Sequence, residues 1–246
     1  MPRLSAGVRS ARYRKYGPQA RTIVNQMNMP EQLRDELSFL GVITDREGLI
    51  ALIQSEHVPG SYGYKHILDA HDTAKREMGD RRRHSGEREF RHAFRCALIL
   101  WIFCGARDPC RIAGEFLHDL SETFRKKWTL ERIGARFGGD TENRVRHMTK
   151  PVQKRGMSKR DSEREFYRLL GLASKEDVEN KGVDVLDNLL TLWKRSAKRL
   201  GRKIDDVIQF VLPLLHRHGL EKLRKAIILV LWEIRRKLRN GIAFAH

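Results

Sequence analysis

The chain has 246 residues, of which 40% are hydrophobic and 33% are charged, as in an ordinary globular protein with a core of its own. No apolar run approaches the ~20 residues that a membrane span needs. The three cysteines form no C-x-x-C pair, which argues against a disulfide framework and predicts free thiols in a reducing, cytoplasmic setting.

Lysine and arginine number 49 against 31 acidic residues, so the formal net charge is +18 at pH 7. A field of this sign attracts polyanions such as phosphorylated nucleotides, nucleic acid or ribosomes. A solvated basic surface without a specific partner would have the same composition. The charge therefore predicts a polyanionic partner without identifying one, and the sequence leaves the oligomeric state open.

The first 30 residues contain no acid but several arginines. A disordered basic arm, an anion-binding tail and an organelle transit peptide all fit this composition. Since serine is scarce and no amphipathic stripe is evident, we favour the arm. A short helix then opens at Pro30, and a capping box at 44–47 predicts the next helix, to about Glu56. Residues 1–60 are thus expected to form an arm followed by short helices.

Helical periodicity extends over most of the remaining chain. The predicted helices are, in order, 66–78, 87–104, 109–122, 130–136, 140–150, 158–170, 174–200, 204–216 and 220–239. Capping boxes begin at Ser158 and Ser174, and Pro213 interrupts the penultimate helix. A basic loop occupies 79–86. Because no segment has the pattern of a strand, the sequence predicts an all-α fold.

The helix that begins at Pro109 carries a histidine beside an aspartate. Asp108 is a suitable N-cap, and proline suits the first helical position. The apolar residues recur at three- and four-residue steps and form one face: Ile112, Ala113, Phe116, Leu117 and Leu120. His118 and Asp119 lie at the far end, and Glu122 follows one turn later on the same side. Such a group can hold a divalent metal with an acid or base beside it.

Two further candidate ligands lie on other predicted helices, His92 upstream and Asp184 downstream. A histidine, a His-Asp pair and a distant aspartate on separate helices form the pattern of HD-domain metallohydrolases, which this chain resembles. That resemblance implies one ion held by His92, His118, Asp119 and Asp184. Two imidazoles and two carboxylates suit Mn²⁺, Fe²⁺ or Zn²⁺.

Four ordered blocks, spanning about 66–195, resemble the hydrolase domain of RelA/SpoT alarmone enzymes. The matched residues are Arg83-His84-Ser85-Gly86-Glu87 with His92; Thr129, Ile133 and Phe137-Gly138; Val145 with Thr149-Lys150; and 181–192. The resemblance implies an all-α HD-domain helical bundle with additional N- and C-terminal helices. It places the hydrolase domain at 61–200, with 201–246 packing on it and no synthetase domain expected after residue 200.

The same resemblance implies an activity, the removal of the 3′-pyrophosphate of ppGpp or pppGpp to give GDP or GTP, with Mn²⁺ as the favoured ion. Glu122 matches the acid that would orient a water or move a proton. Arg83 matches the arginine that stacks on guanine. Ser85 matches a position in the loop beside the nucleoside pocket. Asn188 and Thr191 match positions that line that pocket.

The chain departs from the family pattern at several positions. Thr123 stands in place of a second acid after the His-Asp pair, and Asp187 in place of a histidine. Arg88-Glu89 replaces a Pro-Tyr pair. Met78 stands where the family keeps a histidine, and neither His66 nor His71 is expected to be a ligand. We therefore expect a slower enzyme with an altered pocket edge.

Two alternative functions remain open from the sequence. One is a hydrolase of the same fold acting on another phosphorylated nucleotide, such as NADPH or a deoxynucleoside triphosphate. The other is a non-catalytic, basic protein that binds nucleic acid or ribosomes. The basic residues are spread without interleaved exposed aromatics, which disfavours the binding protein.

Overall fold

The computed structural model describes residues 27–83, 86–151, 155–192 and 197–240. The α-helices are α1 (Glu31–Arg34), α2 (Arg46–Gln54), α3 (Tyr62–Met78), α4 (Glu89–Leu98), α5 (Pro109–Thr123), α6 (Leu130–Phe137), α7 (Gly139–Met148), α8 (Lys159–Leu170), α9 (Lys175–Leu190), α10 (Ala197–Asp206), α11 (Leu212–Arg217) and α12 (Glu221–Arg239). A 3₁₀ turn spans Ser38–Gly41, and π turns span Ile99–Phe103 and Val207–Val211. The described ranges contain no strand, only an isolated bridge between Arg82 and Arg88, which confirms the all-α prediction.

Helix α5, which carries the His-Asp pair, lies at the centre of the bundle. It packs against α3, α4 and α7, and its predicted apolar residues, from Ile112 to Leu120, are fully buried. Asp108 caps it by accepting a hydrogen bond from the Cys110 amide at 2.9 Å. At Gly114 the bundle is tight, because an added Cβ would lie 3.0 Å from the Cβ of Arg144 on α7. The core around α5 therefore fixes the position of His118 and Asp119.

Several predicted helix limits differ from the structure. Helix α3 begins at Tyr62, capped by Ser61, rather than at His66. Helix α2 is capped by Asp45, whose carboxylate accepts from the Gly48 amide, and not by Thr44. The predicted 87–104 helix is an α-helix only from Glu89, because the preceding residue forms the bridge with Arg82. The predicted interruption near Pro213 is a π turn that ends just before α11.

The prediction of one long helix over 174–200 is wrong, since α9 ends at Leu190. The backbone of Thr191 leaves helical geometry, with φ −107° and ψ 21°. Asn28, which precedes α1, donates its backbone amide to Leu190 O at 2.7 Å. The Asn28 side-chain amide also donates to the carbonyls of Leu189 and Leu192. A distant segment thus caps the carbonyl end of α9, which no local pattern could indicate.

The C-terminal helices α11 and α12 pack against α9. Gly182 on α9 permits this approach, because an added Cβ would lie 2.6 Å from a methyl carbon of Leu223. Asp184 follows half a turn later on the same helix, so this packing also fixes a candidate metal ligand. None of the described helices is long and apolar enough to cross a membrane.

Candidate metal centre

The four predicted ligands meet where α4, α5 and α9 converge. His92 Nε2 lies 3.1 Å from Asp184 Oδ1 and 3.8 Å from Asp119 Oδ2. His118 Nε2 lies 3.3 Å from Asp119 Oδ1 and 3.8 Å from Asp184 Oδ1. Ligand atoms of His92, His118 and Asp119 all lie within 4.8 Å of one another. The structure therefore brings all four side chains to one point.

The orientation of His118 fits a bound cation. Its Nδ1 lies 2.8 Å from the carbonyl oxygen of Glu115. A carbonyl oxygen only accepts, so Nδ1 carries the ring proton and Nε2 offers a lone pair. That Nε2 is buried without a hydrogen-bond partner among the described residues and faces the carboxylates of Asp119 and Asp184. A metal ion would satisfy the lone pair and the carboxylates together, so the residues present fit a divalent cation.

The orientation of His92 is set by a buried ionic network. His92 Nδ1 lies 2.7 Å from Asp187 Oδ2, which directs Nε2 towards the other candidate ligands. Asp187 is fully buried and accepts from Arg95 Nε at 2.5 Å and from Arg95 Nη2 at 3.0 Å. Arg95 also donates to both carboxylate oxygens of Glu87. Asp187, which the sequence placed at an altered pocket edge, thus takes the place of the carboxylate that orients many metal-binding histidines.

The carboxylates at this point stabilise positive charge. Burial raises the pKa of Asp184, but Lys181 Nζ at 2.8 Å and the nearby histidines outweigh it and hold that pKa well below its usual value. Burial and Arg83 oppose protonation of His92, yet hydrogen bonds to Asp184 and Asp187 raise its pKa to about 9. Metal binding requires a neutral His92, so an ion bound here would have to displace the His92 proton.

The residues predicted to contact the nucleoside lie beside these ligands, with two exceptions. Arg83 Nη2 donates to Asn188 Oδ1 at 2.6 Å, and Asn188 Nδ2 donates to Asp184 Oδ1 at 2.5 Å. The hydroxyl of Thr191 is instead turned back onto the carbonyl of Asp187 at 2.8 Å. Ser85 lies outside the described residues.

Glu122 is half-buried at the last turn of α5, where its Oε1 accepts from the Lys150 amide at 2.8 Å. The side chain is thereby held at the end of α7. The neighbouring Thr123 donates its hydroxyl to Glu89 Oε1 at 3.4 Å. Glu89 stands where the family has a tyrosine, and Thr123 where it has an acid. Glu89 thus places a carboxylate beside position 123, with its other oxygen accepting from Arg81 Nε at 2.8 Å.

The chain was also compared with known proteins, and the relatives found are ppGpp hydrolases. No protein-family model matches the chain. Over 195 residues, the chain is 31% identical to the guanosine-3′,5′-bis(diphosphate) 3′-pyrophosphohydrolase of Aquifex aeolicus (strain VF5), covering 78% of this chain and 26% of that protein. The chain therefore spans about a quarter of the length of that relative. It is also similar to the solved structure of a metazoan SpoT orthologue that hydrolyses ppGpp, with a TM-score of 0.55 and 18% identity, covering 76% of this chain and 99% of that one.

The chain has the all-α HD-domain fold. The resemblance to RelA/SpoT-type hydrolases that the motifs indicated is confirmed by these two relatives. The HD domain places its candidate ligands on α4, α5 and α9, so the sequence motifs and the helix packing agree on one centre.

A basic cavity of about 650 Å³ opens beside this centre of the HD domain. It is lined by Lys150, Lys159, Arg160, Glu163, Arg202, Lys203, Asp205 and Asp206. Burial and the neighbouring Lys150 lower the pKa of Lys203 to about 8, and Lys203 also interacts electrostatically with Lys181 and Asp184. None of the candidate metal ligands lines this cavity, but its lining includes Lys150, whose amide binds Glu122. The lining carries more positive than negative side chains.

Sequence reasoning missed the residues that support the ligands. The sequence did not indicate a role for Arg95, because the position of an arginine in an apolar helix does not predict its ionic partner. Lys181 is the first residue of a matched block, but its contacts with Met148 O at 2.9 Å and with Asp184 were not expected. The buried Glu115, whose carboxylate oxygens have no hydrogen-bond partner in the described part of the chain, was not singled out either. Burial raises the pKa of Glu115 well above its usual value.

Proposed function

We propose that this chain is a metal-dependent hydrolase that removes the 3′-pyrophosphate of ppGpp or pppGpp, with GDP or GTP and pyrophosphate as products. The observation that carries the proposal is the buried, unpartnered Nε2 of His118, which faces Asp119 and Asp184 in the HD arrangement. The activities of both relatives support the choice of substrate, since one is a ppGpp 3′-pyrophosphohydrolase and the other hydrolyses ppGpp.

His92, His118, Asp119 and Asp184 would hold the ion, and we propose Mn²⁺ as the physiological one. Two neutral imidazoles and two carboxylates form a mixed nitrogen and oxygen donor set, which Mn²⁺ accepts and for which Fe²⁺ and Zn²⁺ compete. When bound, the ion supplies a Lewis acid for a phosphoryl oxygen and lowers the pKa of a water. The two aspartates balance its charge.

Glu122 and Glu89 are the groups placed to handle protons. The Lys150 amide fixes one oxygen of Glu122, so the other can be aimed at a water or at the leaving phosphate. Glu89 reaches the same end of α5 through Thr123. Glu89 is therefore the residue we propose in place of the second acid that Thr123 lacks.

Arg83 and Asn188 would bind the guanine end of the substrate. The Arg83 side chain is 24% exposed and is linked through Asn188 to Asp184, which ties the base position to the metal ligands. Stacking of a guanidinium on a purine contributes up to ~2 kcal/mol. The basic cavity that includes Lys150 and Lys203 would hold the phosphates at the other end.

The deciding experiment is product analysis by ion-exchange chromatography. The full chain is incubated with ppGpp, NADPH or dGTP, each with added Mn²⁺ and each with EDTA. The proposal predicts release of GDP and pyrophosphate from ppGpp, dependent on Mn²⁺. Clean turnover of NADPH or dGTP with ppGpp untouched would establish the other nucleotide hydrolase instead. No turnover of any nucleotide, with tight RNA binding, would establish the non-catalytic binding protein.

A further inference from the structure

A second cavity, of about 450 Å³, lies away from the metal ligands, between the start of α2, helix α3, the basic loop and α4. None of the four candidate metal ligands lines it. Its cationic lining residues are Arg46, Lys75, Arg82, Arg88, Arg91 and Arg95. The carboxylates among its described lining residues, Asp45 and Glu87, are already engaged, by the amide of Gly48 and by Arg95. Arg46 pairs with Asp72, Arg88 with Asp80, and Arg95 with Asp187 and Glu87. The positive charge not paired with a carboxylate in the described residues is therefore that of Lys75, Arg82 and Arg91.

The basic loop divides its arginines between the two sites. Arg82 and Arg88 pair in an antiparallel bridge, so their side chains leave the backbone on the same face. Arg83, the next residue, projects to the other face and contacts Asn188. Two arginines directly opposite each other repel, which destabilises the bridge. An anion bound between them would remove that repulsion.

The cations at this cavity differ in how they are paired among the described residues. Arg88 pairs with Asp80 at 2.9 Å, and Arg82 donates to the carbonyl of Gly86 at 2.7 Å. Lys75 and Arg91, in contrast, have no carboxylate partner in the described part of the chain, although both line the cavity. Guanidinium groups bind phosphate oxygens in a bidentate manner, and lysine adds a point charge. The open donors are thus of the kind that binds phosphate groups.

An apolar wall completes the cavity. The half-buried Phe90 and the buried Phe94, Leu40 and Ile43 line it beside the cations. A volume of about 450 Å³ lies within the usual range of small-molecule sites. An apolar wall with several arginines on one side suits a ligand that joins a phosphate chain to a flat, less polar group.

We propose that this cavity is a second anion site, which binds a diphosphate group carried by a nucleoside or present as inorganic pyrophosphate. The site does not depend on the proposed hydrolysis, because its cations are held in place by α2, α3, α4 and the basic loop. Arg95 links it to the metal centre, because Arg95 lines the cavity and also donates to Asp187.

Isothermal titration calorimetry of the full chain tests this second site. EDTA is added so that no metal ion is bound at the metal centre. GDP and sodium pyrophosphate are titrated in separate experiments into the wild type, into the double variant Lys75→Glu/Arg91→Glu, and into Arg235→Glu. Arg235 is exposed on α12, away from both cavities, and serves as a control for charge reversal at the surface. We expect saturable binding by the wild type and the control, and at least a tenfold loss in the double variant. Tighter binding of GDP would identify a nucleotide ligand, and equal binding a diphosphate alone.

Two further variants keep the outcome decisive. If the double variant fails to fold by circular dichroism, Lys75→Gln/Arg91→Gln removes the charges without reversing them, and the same loss is expected. Lys203→Glu removes charge from the basic cavity beside the metal centre and should leave this binding intact. The proposal is overturned if the wild type shows no saturable binding, if the folded cavity variants bind like the wild type, or if Lys203→Glu alone abolishes binding.

Discussion

Replacement of Asp187 by asparagine tests the network that orients His92. The variant keeps the size of the side chain and removes the charge that lies 2.7 Å from His92 Nδ1. Loss of such an outer carboxylate typically lowers metal affinity by about 10- to 100-fold, which corresponds to ~1.4–2.7 kcal/mol. We expect a shift of this size in the Mn²⁺ dissociation constant of Asp187→Asn, with activity partly restored at high Mn²⁺.

The loss of Mn²⁺ affinity in Asp187→Asn must be separated from a loss of folding stability. Arg95 is buried between Asp187 and Glu87, and removing one partner of a buried pair costs about 3 kcal/mol or more. The midpoint temperature of thermal unfolding should therefore fall. The Mn²⁺ titrations should be run well below that temperature. Calorimetric titration of Mn²⁺ gives the dissociation constant directly.

The structure offers a matched control in Asp72→Asn. Asp72 Oδ1 lies 2.8 Å from His71 Nδ1 and pairs with Arg46, so it repeats the Arg–Asp–His arrangement away from the metal ligands. Its replacement should leave Mn²⁺ affinity unchanged. If folded Asp187→Asn binds Mn²⁺ as tightly as the wild type, or if Asp72→Asn weakens binding equally, the orienting role of Asp187 is refuted.

Four further predictions concern turnover and substrate binding. Glu122→Gln should retain Mn²⁺ and lose about 10²- to 10⁴-fold in kcat, measured as pyrophosphate release, because it removes a proton-handling group. Glu89→Gln should also lower kcat at unchanged Mn²⁺ affinity, and an unchanged kcat would show that Glu89 does not supply the second acid. Arg83→Ala should raise KM for ppGpp by up to about 30-fold with little change in kcat, whereas Arg235→Ala should change neither. The KM of the wild type should rise as pH increases through about 8, because Lys203 loses its charge above its lowered pKa; Lys203→Arg, which stays charged, should flatten that rise.

The elements that sequence reasoning predicted well carry local signals. The cap of Asp108, the first-turn proline and the apolar face of α5 are all set by residues within a few positions of one another, and the structure has each of them. Ser158 and Ser174 likewise cap α8 and α9, by accepting from the amides three residues ahead. The ligand set was found because its members belong to separate motifs whose order is fixed by the fold.

The features that were missed depend on contacts between distant segments. Helix α9 ends where Asn28 caps it, and the two segments are far apart in the chain. In the sequence, Asp187 was only a departure from the family pattern, because its partner Arg95 lies on another helix. Both cases involve polar side chains whose partners are set by tertiary packing, and a single sequence contains no periodic pattern that identifies such pairs.

Pyrophosphate release from ppGpp by a single histidine variant tests the central claim most directly. His118→Ala removes the unpartnered Nε2 at the candidate metal centre, and His66→Ala removes a buried histidine whose Nε2 lies 2.9 Å from Thr141 Oγ1, outside that centre. We predict Mn²⁺-dependent release by the wild type and by His66→Ala, and none by folded His118→Ala. Release by His118→Ala at the wild-type rate, or wild-type release that persists in EDTA, would contradict the account.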